Sequence, residues 1–471
     1  MLRLHELLGR IVERVNVNLR SWDFDVWPYI PTTAPLDNLP DCAFYGLSYH
    51  HPLHLRFARS ALAGSYFLDR CVVESSVVYK SDVRGDELKR QNEVIEMDGE
   101  VITMDENEEI RIKDSFLAKT LVHNYSHDPS SPEEFTIQNS AAMPYSNIHG
   151  SPIMGVFLGA GATIDLTRVV DSIIGEFVYL QAGEIANHVM RPGQIWISSG
   201  GAFDFSYRYK QDVLEKYINH KPGRPPAGII PDFVEERRPD LEMVFGALQK
   251  KGVMAPKGAS LSPYSVVKGS CLLDKNVFVS QRAYLENAAL GPGANAQENC
   301  FIVNSRLKGF NVTAHGGKIL NAELEEKAFV GFNSFLRGAP GSLLRIGRES
   351  IVMPHTIIDL EEPLEIPPRT LVWGFLQGPD DLEENSIPLA ELAQVEGTLC
   401  RGRMTFQGLG EAFVNAFTRR IDHILEANGA FFDGVNGKGH AQASQNISFN
   451  IIQPYPEGHF LGMYPAIDIR P

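Results

Sequence analysis

A six-residue repeat constrains this chain more than any other feature of its sequence. An aliphatic residue is followed directly by Gly, Ala, Asp or Glu, and by a small or β-branched residue four positions after it. The repeat runs through Leu273, Val279 and Leu285, and then arrives one residue early at Leu290. Further aliphatic positions of the pattern are Leu158, Ile164, Ile174, Leu180, Ala296, Ile302, Leu324, Val330, Leu336, Ile346, Val352 and Ile358. Alternation with a period of two does not generate such a recurrence, so ordinary strands explain it poorly.

This period predicts a parallel β-helix with a triangular cross-section. Each hexapeptide supplies one short strand and one corner, and its aliphatic residue points inward onto the equivalent residue of the neighbouring coil. Small residues in the second and fifth positions fit the tight corners. Three sides of this length give roughly 18 residues per coil. Because a single coil cannot bury its own apolar face, several coils must stack.

The pattern resembles the hexapeptide-repeat, left-handed β-helix superfamily. That superfamily includes acyltransferases, the acetyltransferase half of bifunctional sugar-nucleotide enzymes, and γ-class carbonic anhydrases. The resemblance covers residues 60–85, 150–188 and 263–375. It implies left-handed winding and a homotrimer, and it specifies the fold more closely than the reaction.

Segments with a different pattern flank and interrupt the predicted coils. We expect an all-β solenoid with long inserted loops and flanking helices. Its predicted parts are an N-terminal helical or irregular cap (1–59), the left-handed β-helix (60–375) with insertions at about 85–150 and 189–262, and a C-terminal helix followed by a tail that wraps across a neighbouring subunit (376–471).

Composition excludes several classes of partner. The formal net charge is −15 and the sequence pI is about 5.4, which disfavours non-specific binding to nucleic acid or to an anionic membrane surface.

The five cysteines form no Cys-x-x-Cys pair, so we expect neither a zinc ribbon nor a disulfide framework, and a reducing cytoplasm fits best. No apolar stretch reaches the roughly 18–20 residues that span a bilayer. A cytoplasmic protein with a small-molecule substrate is the expectation.

The densest group of polar residues runs from Asn304 to Glu323. Acyltransferases of this superfamily use a histidine at the coil surface as general base, and the resemblance implies that role for His315, because imidazole titrates near neutrality. Glycines beside it would let a ligand approach the backbone. The other predicted members are Asn304 and Asn311 to orient the substrate, Gly316 and Gly317 as oxyanion donors, and Lys308, Lys318 and Arg337 for the phosphates of an acyl-CoA.

Two other functions stay open at this stage. His123 and His127 are four residues apart and His149 follows, which is loosely similar to the three-histidine metal sites of γ-class carbonic anhydrases. Three neutral imidazoles and a water suit zinc, so a metal-dependent lyase or hydratase is the rival enzyme class. A second histidine cluster consists of His50, His51 and His54. The third alternative is a non-catalytic scaffold or sugar-binding β-helix.

Overall fold

The chain folds into two compact units. A computed structural model describes residues 2–47, 54–97, 100–124, 134–245, 256, 258–339, 341–434 and 448–470. Unit 1 consists of residues 1–194, 214–229 and 446–471, and unit 2 of residues 195–213 and 230–445. The sequence analysis expected one solenoid, whereas the hexapeptide strands are divided between the two units, and in each unit they form three stacks of parallel strands.

The coils of unit 1 build three sheets of short parallel strands. Sheet 1a contains Ala43–Leu47, Tyr66–Leu68, Asp82–Arg84, Leu121–His123, Asn147–His149, Thr163–Asp165 and Tyr179–Gln181. Sheet 1b contains Val77–Tyr79, Phe116–Ala118, Ala141–Ala142, Phe157–Leu158, Ile173–Ile174 and Val189–Met190. Sheet 1c contains His54–Ala58, Arg70–Glu74, Ile110–Lys113, Phe135–Gln138, Ile153–Met154, Thr167–Val170 and Gly183–Ala186.

Unit 2 repeats this plan. Sheet 2a contains Ser260–Leu261, Phe278–Val279, Asn295–Ala296, Val312–Thr313, Phe329–Val330, Ile351–Val352 and Thr370–Val372. Sheet 2b contains Val266–Lys268, Tyr284–Glu286, Phe301–Val303, Lys318–Leu320, Phe335–Arg337, Ile357–Asp359 and Phe375–Leu376. Sheet 2c contains Leu272–Leu273, Ala289–Leu290, Arg306–Leu307, Ala322–Leu324, Leu344–Ile346 and Glu365–Ile366.

The core of unit 2 is the stack of inward aliphatic residues that the repeat predicts. Every predicted inward residue from Val279 to Ile358 lies in one buried cluster, and Leu273 packs against it. In sheet 2b the inward column passes through positions 285, 302, 319 and 336, so these three coils are each one residue shorter than predicted. The reason is that the step from sheet 2b to sheet 2c, for example from Leu285 to Leu290, takes five residues rather than six.

Unit 1 has a still shorter coil. The inward residues of sheet 1a recur at positions 148, 164 and 180, which is two residues sooner per coil than predicted. Two of the three steps in this coil take five residues, as from Ile148 to Ile153 and on to Leu158, all of which are buried. The hexapeptide rule therefore predicts the fold and the inward residues, while the length of each corner sets the coil period.

Most corners are turned by a residue in the left-handed backbone region. Between sheets 2a and 2b these residues are Arg282, Asn299, Gly316, Asn333 and His355, with φ between 49° and 72°. One such residue per corner bends the chain by the angle that a triangular coil requires. Because this geometry recurs on every coil, residues at equivalent corner positions point their side chains in the same direction.

Six α-helices lie outside the coils in the described part of the chain. Their bounds are Leu2–Asn18 (α1), Gln211–Tyr217 (α2), Ile229–Phe245 (α3), Leu382–Asn385 (α4), Leu389–Leu392 (α5) and Gly410–Ala427 (α6). Short 3-10 helices occupy Arg20–Trp22, Trp27–Tyr29, Pro379–Asp381 and Gly458–Phe460. Helix α6 buries Phe413, Phe417 and Ile421 along one stripe. No helix among the described residues is long and apolar enough to cross a membrane.

The remaining strands are antiparallel or lie outside the coils. They are the hairpin Val94–Met97 and Glu100–Thr103, the strand Gln194–Ser199, the neighbours Phe203–Arg208, Met404–Leu409 and Glu396–Arg401, the strand Ser386–Pro388 beside Thr370–Val372, and the tail strands Ser448–Ile452 and Ile467–Ile469. The predicted insertion at 85–150 is longer than the observed interruption, because strands from Ile110 to His149 belong to the coils.

The C-terminal tail adds two antiparallel strands to unit 1. Ser448–Ile452 pairs with Ala43–Leu47, and Ile467–Ile469 pairs with His54–Ala58 of the same chain. These pairings cover strand edges at the start of unit 1, which would otherwise offer unpaired backbone groups to other chains. The sequence analysis expected the tail to wrap across a neighbouring subunit, and that contact stays a prediction.

Candidate active site

One corner of unit 2 carries a column of polar and aromatic side chains. The corner between sheets 2a and 2b places Gln281, Glu298, His315 and Phe332 at equivalent positions on successive coils. All four side chains are buried. Residues that are distant in the sequence thus become neighbours, because the coil repeats at the same interval.

The centre of this column is a histidine held by a carboxylate. His315 Nδ1 lies 2.7 Å from Glu298 Oε2, and the side chains of His315 and Glu298 are only 3% and 1% exposed. The Ser280 hydroxyl donates to the other oxygen of Glu298. A carboxylate beside Nδ1 favours the proton on that nitrogen, which leaves Nε2 as the basic atom of the ring. The arrangement places the imidazole against a carboxylate, with Nε2 as the nitrogen available for proton transfer.

Aromatic and cationic groups border this histidine. The ring of Phe332 lies 5.2 Å from the ring of His315, centroid to centroid, in a tilted contact. Arg420, from helix α6, places its guanidinium 5.9 Å from the centre of the Phe332 ring. The Phe332 ring and the burial of both residues exclude water from this side of His315, which strengthens the electrostatic contact with Glu298.

The glycines after His315 shape the corner, but their amides are already in use. Gly316 has φ +72°, and a Cβ added there would collide with Asn333 Oδ1. The N–H of Gly316 donates to the carbonyl of Glu298, and the N–H of Gly317 donates to the carbonyl of Ala314. The oxyanion hole that the sequence analysis expected at these two amides is therefore not formed, because both hydrogens serve the backbone.

Lys318 is buried instead of facing solvent. The side chain is 2% exposed, and its Nζ donates to the Gly316 carbonyl at 2.5 Å. Burial lowers the pKa of Lys318 to about 8, and this effect outweighs the opposing influence of Cys300. A lysine in this setting supports the backbone of the His315 corner, and it does not offer a permanent surface charge to a phosphate.

The other two predicted cations are paired with carboxylates. Lys308 Nζ lies 2.8 Å from Glu323 and 2.5 Å from Glu325. Arg337 makes a bidentate contact with Asp359, at 2.6 Å through Nε and 2.7 Å through Nη2. An anionic cofactor at either residue would have to compete with carboxylates that already satisfy the charge.

The two predicted asparagines lie apart from His315. Asn304 follows a strand of sheet 2b, so it stands at the next corner, where it is exposed and accepts a hydrogen bond from Asn287 at 3.2 Å. Asn311 is fully buried: its amide donates to the Glu325 carbonyl at 2.6 Å and its oxygen accepts from the Gly309 N–H at 2.9 Å. These contacts give Asn311 a structural role at the corner that precedes sheet 2a.

Unit 1 brings together two histidines of the predicted metal cluster. His123 and His149 are register partners on adjacent strands of sheet 1a, and their rings meet edge to face with centroids 5.2 Å apart. Their ligand atoms lie within 4.8 Å of each other. His127, His50 and His51 lie outside the described residues, whereas His54 contacts Glu109 at 2.5 Å.

Carboxylates hold this histidine pair as well. Asp165 Oδ1 lies 2.8 Å from His149 Nδ1, and the Tyr179 hydroxyl donates to the other oxygen of Asp165 at 2.5 Å. Glu87 lies 3.2 Å from His123 Nε2. A carboxylate on Nδ1 is the usual outer-shell partner of a metal-binding histidine, because it fixes the tautomer that presents Nε2. The pair can therefore serve acid–base chemistry or hold an ion.

Sequence reasoning proposed His315 as a candidate, but it missed Glu298, Ser280 and Asp165, which the structure places in the two histidine sites. With the predicted coil length, the residue beneath His315 would be at position 297, whereas the observed coil is one residue shorter and puts Glu298 there. The early arrival of the repeat at Leu290 was the signal that the coil is shorter. With the correct number of residues per coil, the sequence would have pointed to Glu298 as the carboxylate beside His315.

Comparison with known proteins identifies the family. A family model described as "hexapeptide repeat including loop" matches residues 100–222. A crystal structure at 2.28 Å resolution, of a candidate acetyltransferase from Desulfovibrio desulfuricans G20, is 52% identical in sequence, covers 100% of this chain and 99% of that chain, and has a TM-score of 0.93. No curated protein matches the chain. The chain belongs to the hexapeptide-repeat acyltransferase superfamily, which confirms the resemblance drawn from the repeat.

Proposed function

We propose that this protein is an acyl-CoA-dependent acyltransferase that modifies a hydroxyl or amine of a sugar or other small molecule, with His315 as general base. The observation that carries the proposal is the linked set of Ser280, Glu298 and His315, in which a hydroxyl fixes a carboxylate and the carboxylate orients the imidazole. The similarity to a candidate acetyltransferase supports the acyl-transfer class. Left-handed winding, a homotrimer and a cytoplasmic location belong to the same proposal.

The proposed reaction uses Nε2 of His315 twice. The neutral ring takes the proton from the acceptor O–H or N–H while the oxygen or nitrogen attacks the thioester carbonyl carbon. The electron pair of the C=O bond moves onto oxygen, and when it returns, the C–S bond breaks and the CoA thiolate leaves. His315, now an imidazolium beside the Glu298 carboxylate, returns its proton to the thiolate.

Removing the base or its partner tests this proposal. Thiol release is followed with a panel of acyl-CoA donors and of sugar and amine acceptors. We expect His315→Ala to lower kcat by about 10²–10⁴-fold, the usual contribution of a general base, while calorimetry shows that CoA still binds. Glu298→Gln should lower kcat less, because the base is still present and only the carboxylate beside its Nδ1 is replaced by an amide.

An exposed histidine provides the control. His188 lies on the surface of unit 1, and His188→Ala should retain the wild-type kcat. The proposal fails if the wild-type protein releases no thiol with any donor and calorimetry detects no binding of CoA.

A second candidate function is metal chemistry at His123 and His149. The observation that favours it is the pairing of two buried imidazoles at one register position, with Asp165 on the Nδ1 of His149. Zinc binds neutral imidazole nitrogen well and needs at least one more ligand. Such an ion would activate a water for hydration or hydrolysis.

Elemental analysis of protein purified without chelator tests this candidate. Near-stoichiometric zinc or a similar ion in the wild type, lost in His123→Ala and in His149→Ala, would support it. Equal metal content in the wild type and in the His123→Ala, His149→Ala double variant would contradict it.

A further inference from the structure

Gln297 is a buried amide beside the His315 corner that the fold does not use. Its side chain is 7% exposed, and its amide makes no hydrogen bond with any residue in the described part of the chain, although neither amide atom is among the fully buried ones. A carboxamide that the fold leaves without a partner and within reach of solvent can donate its NH2 hydrogens to a ligand. Glu298, the next residue in the chain, is by contrast fixed by contacts on both oxygens.

The repeat indicates where the Gln297 side chain points. Ser280, Gln297, Ala314 and Gly331 occupy equivalent positions on successive coils, and their N–H groups donate in turn to the carbonyls of Ala296, Thr313, Val330 and Val352. Equivalent backbone geometry gives equivalent side-chain directions. The Ser280 hydroxyl reaches Glu298, which belongs to the neighbouring corner column and lies on the next coil.

The Gln297 side chain leaves its coil in the same direction as the Ser280 side chain, so it points toward His315 on the next coil. Gln297 stands to His315 as Ser280 stands to Glu298, because each pair is separated by one coil and one further residue. The side chain of Gln297 is longer than that of serine, so its amide can extend beyond the ring toward a bound substrate. The next two members of its column, Ala314 and Gly331, have no polar side-chain atoms.

The chemistry of the site lacks a group that Gln297 can supply. Acyl transfer builds negative charge on the carbonyl oxygen, and a preorganised N–H donor stabilises it. The amides of Gly316 and Gly317 are committed to the backbone. We propose that the carboxamide NH2 of Gln297 donates a hydrogen bond to the thioester carbonyl oxygen as it becomes an oxyanion; this inference rests on the proposed acyltransferase function.

Steady-state kinetics of Gln297 variants test the inference. Removing one oxyanion donor typically lowers kcat by about 10²–10³-fold, and because the contact forms only in the transition state, KM should change little. We expect that pattern for Gln297→Ala. Gln297→Glu keeps the shape but replaces the donor with a negative acceptor, so it should be at least as impaired. The pH profile set by His315 should keep its position in Gln297→Ala.

An exposed glutamine and the wild type separate the outcomes. Gln407 is exposed on the strand Met404–Leu409, and Gln407→Ala should match the wild type. Activity of Gln297→Ala within about threefold of an active wild type overturns the role of Gln297 alone, because the general-base mechanism would survive. A fall in kcat with an equal rise in KM also overturns it. A wild type that is inactive with every acyl-CoA overturns the proposed function and this inference with it.

Discussion

Burial, rather than residue type, decides what each polar residue near His315 can do. The segment from Asn304 to Lys318 is almost one coil long, so its side chains point to different corners and to the interior. Asn304 is exposed at one corner, Asn311 is sealed inside another, and Lys318 is buried beneath the backbone of Gly316. A dense polar stretch in a β-helix is therefore not a single site, and of these residues only His315 lies against the Glu298 carboxylate in the candidate site.

Lys318 makes stability depend on pH in a specific window. Its pKa is lowered from 10.5 to about 8 by burial, so between these values the unfolded chain binds more protons than the folded chain, and stability rises with pH. A shift of one pKa unit corresponds to about 1.4 kcal/mol. We expect the free energy of unfolding of the wild type to gain on the order of 3 kcal/mol relative to Lys318→Met between pH 7.5 and pH 10.5.

Denaturant unfolding of both proteins at the two pH values measures this difference. Lys308→Met is the control, because the pKa of Lys308 is raised by its hydrogen bonds to Glu323 and Glu325. A raised pKa of Lys308 leaves the free energy of unfolding independent of pH below the ordinary pKa of lysine, because both the folded and the unfolded chain then carry the proton. If the difference in the free energy of unfolding between the wild type and Lys318→Met is the same at both pH values, the lowered pKa of buried Lys318 is contradicted.

At the scale of elements, the stacked inward columns hold each unit together. In sheet 2b, Leu285, Ile302, Ile319 and Leu336 lie above one another, and none is exposed. Each coil buries its aliphatic residues only against its neighbours, so a defect in one coil affects the coils on both sides. The hexapeptide rule predicted most of these residues from the sequence, because inward position and small corner residues recur at a fixed interval.

Truncating one inward residue tests this packing. Ile302→Ala should destabilise the protein by about 2–5 kcal/mol, since it removes buried methyl groups and leaves a cavity between two coils. Arg306 lies on the same coil and is exposed, so Arg306→Ala should change stability by less than about 0.5 kcal/mol. Denaturant midpoints of the three proteins provide the comparison. Equal midpoints would show that the column carries little of the stability.

At the scale of the whole molecule, the sequence determined the architecture but not its division. The repeat predicted stacked coils with inward aliphatic residues, and it appears in both units. It did not show that the coils form two units with different periods, because corners of different length obey the same local rule. Nor did it show that the C-terminal strands pair with the start of their own chain.

For the candidate sites as well, the sequence determined one part and the tertiary structure the other. The sequence alone singled out His315, through its neighbouring glycines and the resemblance to acyltransferases, and it grouped His123 with His149. Only the tertiary structure placed Glu298 against His315 and Asp165 against His149, and set Gln297 on the coil before His315. The physical reason is that contacts between coils depend on the coil period to the residue: an error of one position replaces a carboxylate with an amide, although the inward pattern that defines the fold is unchanged.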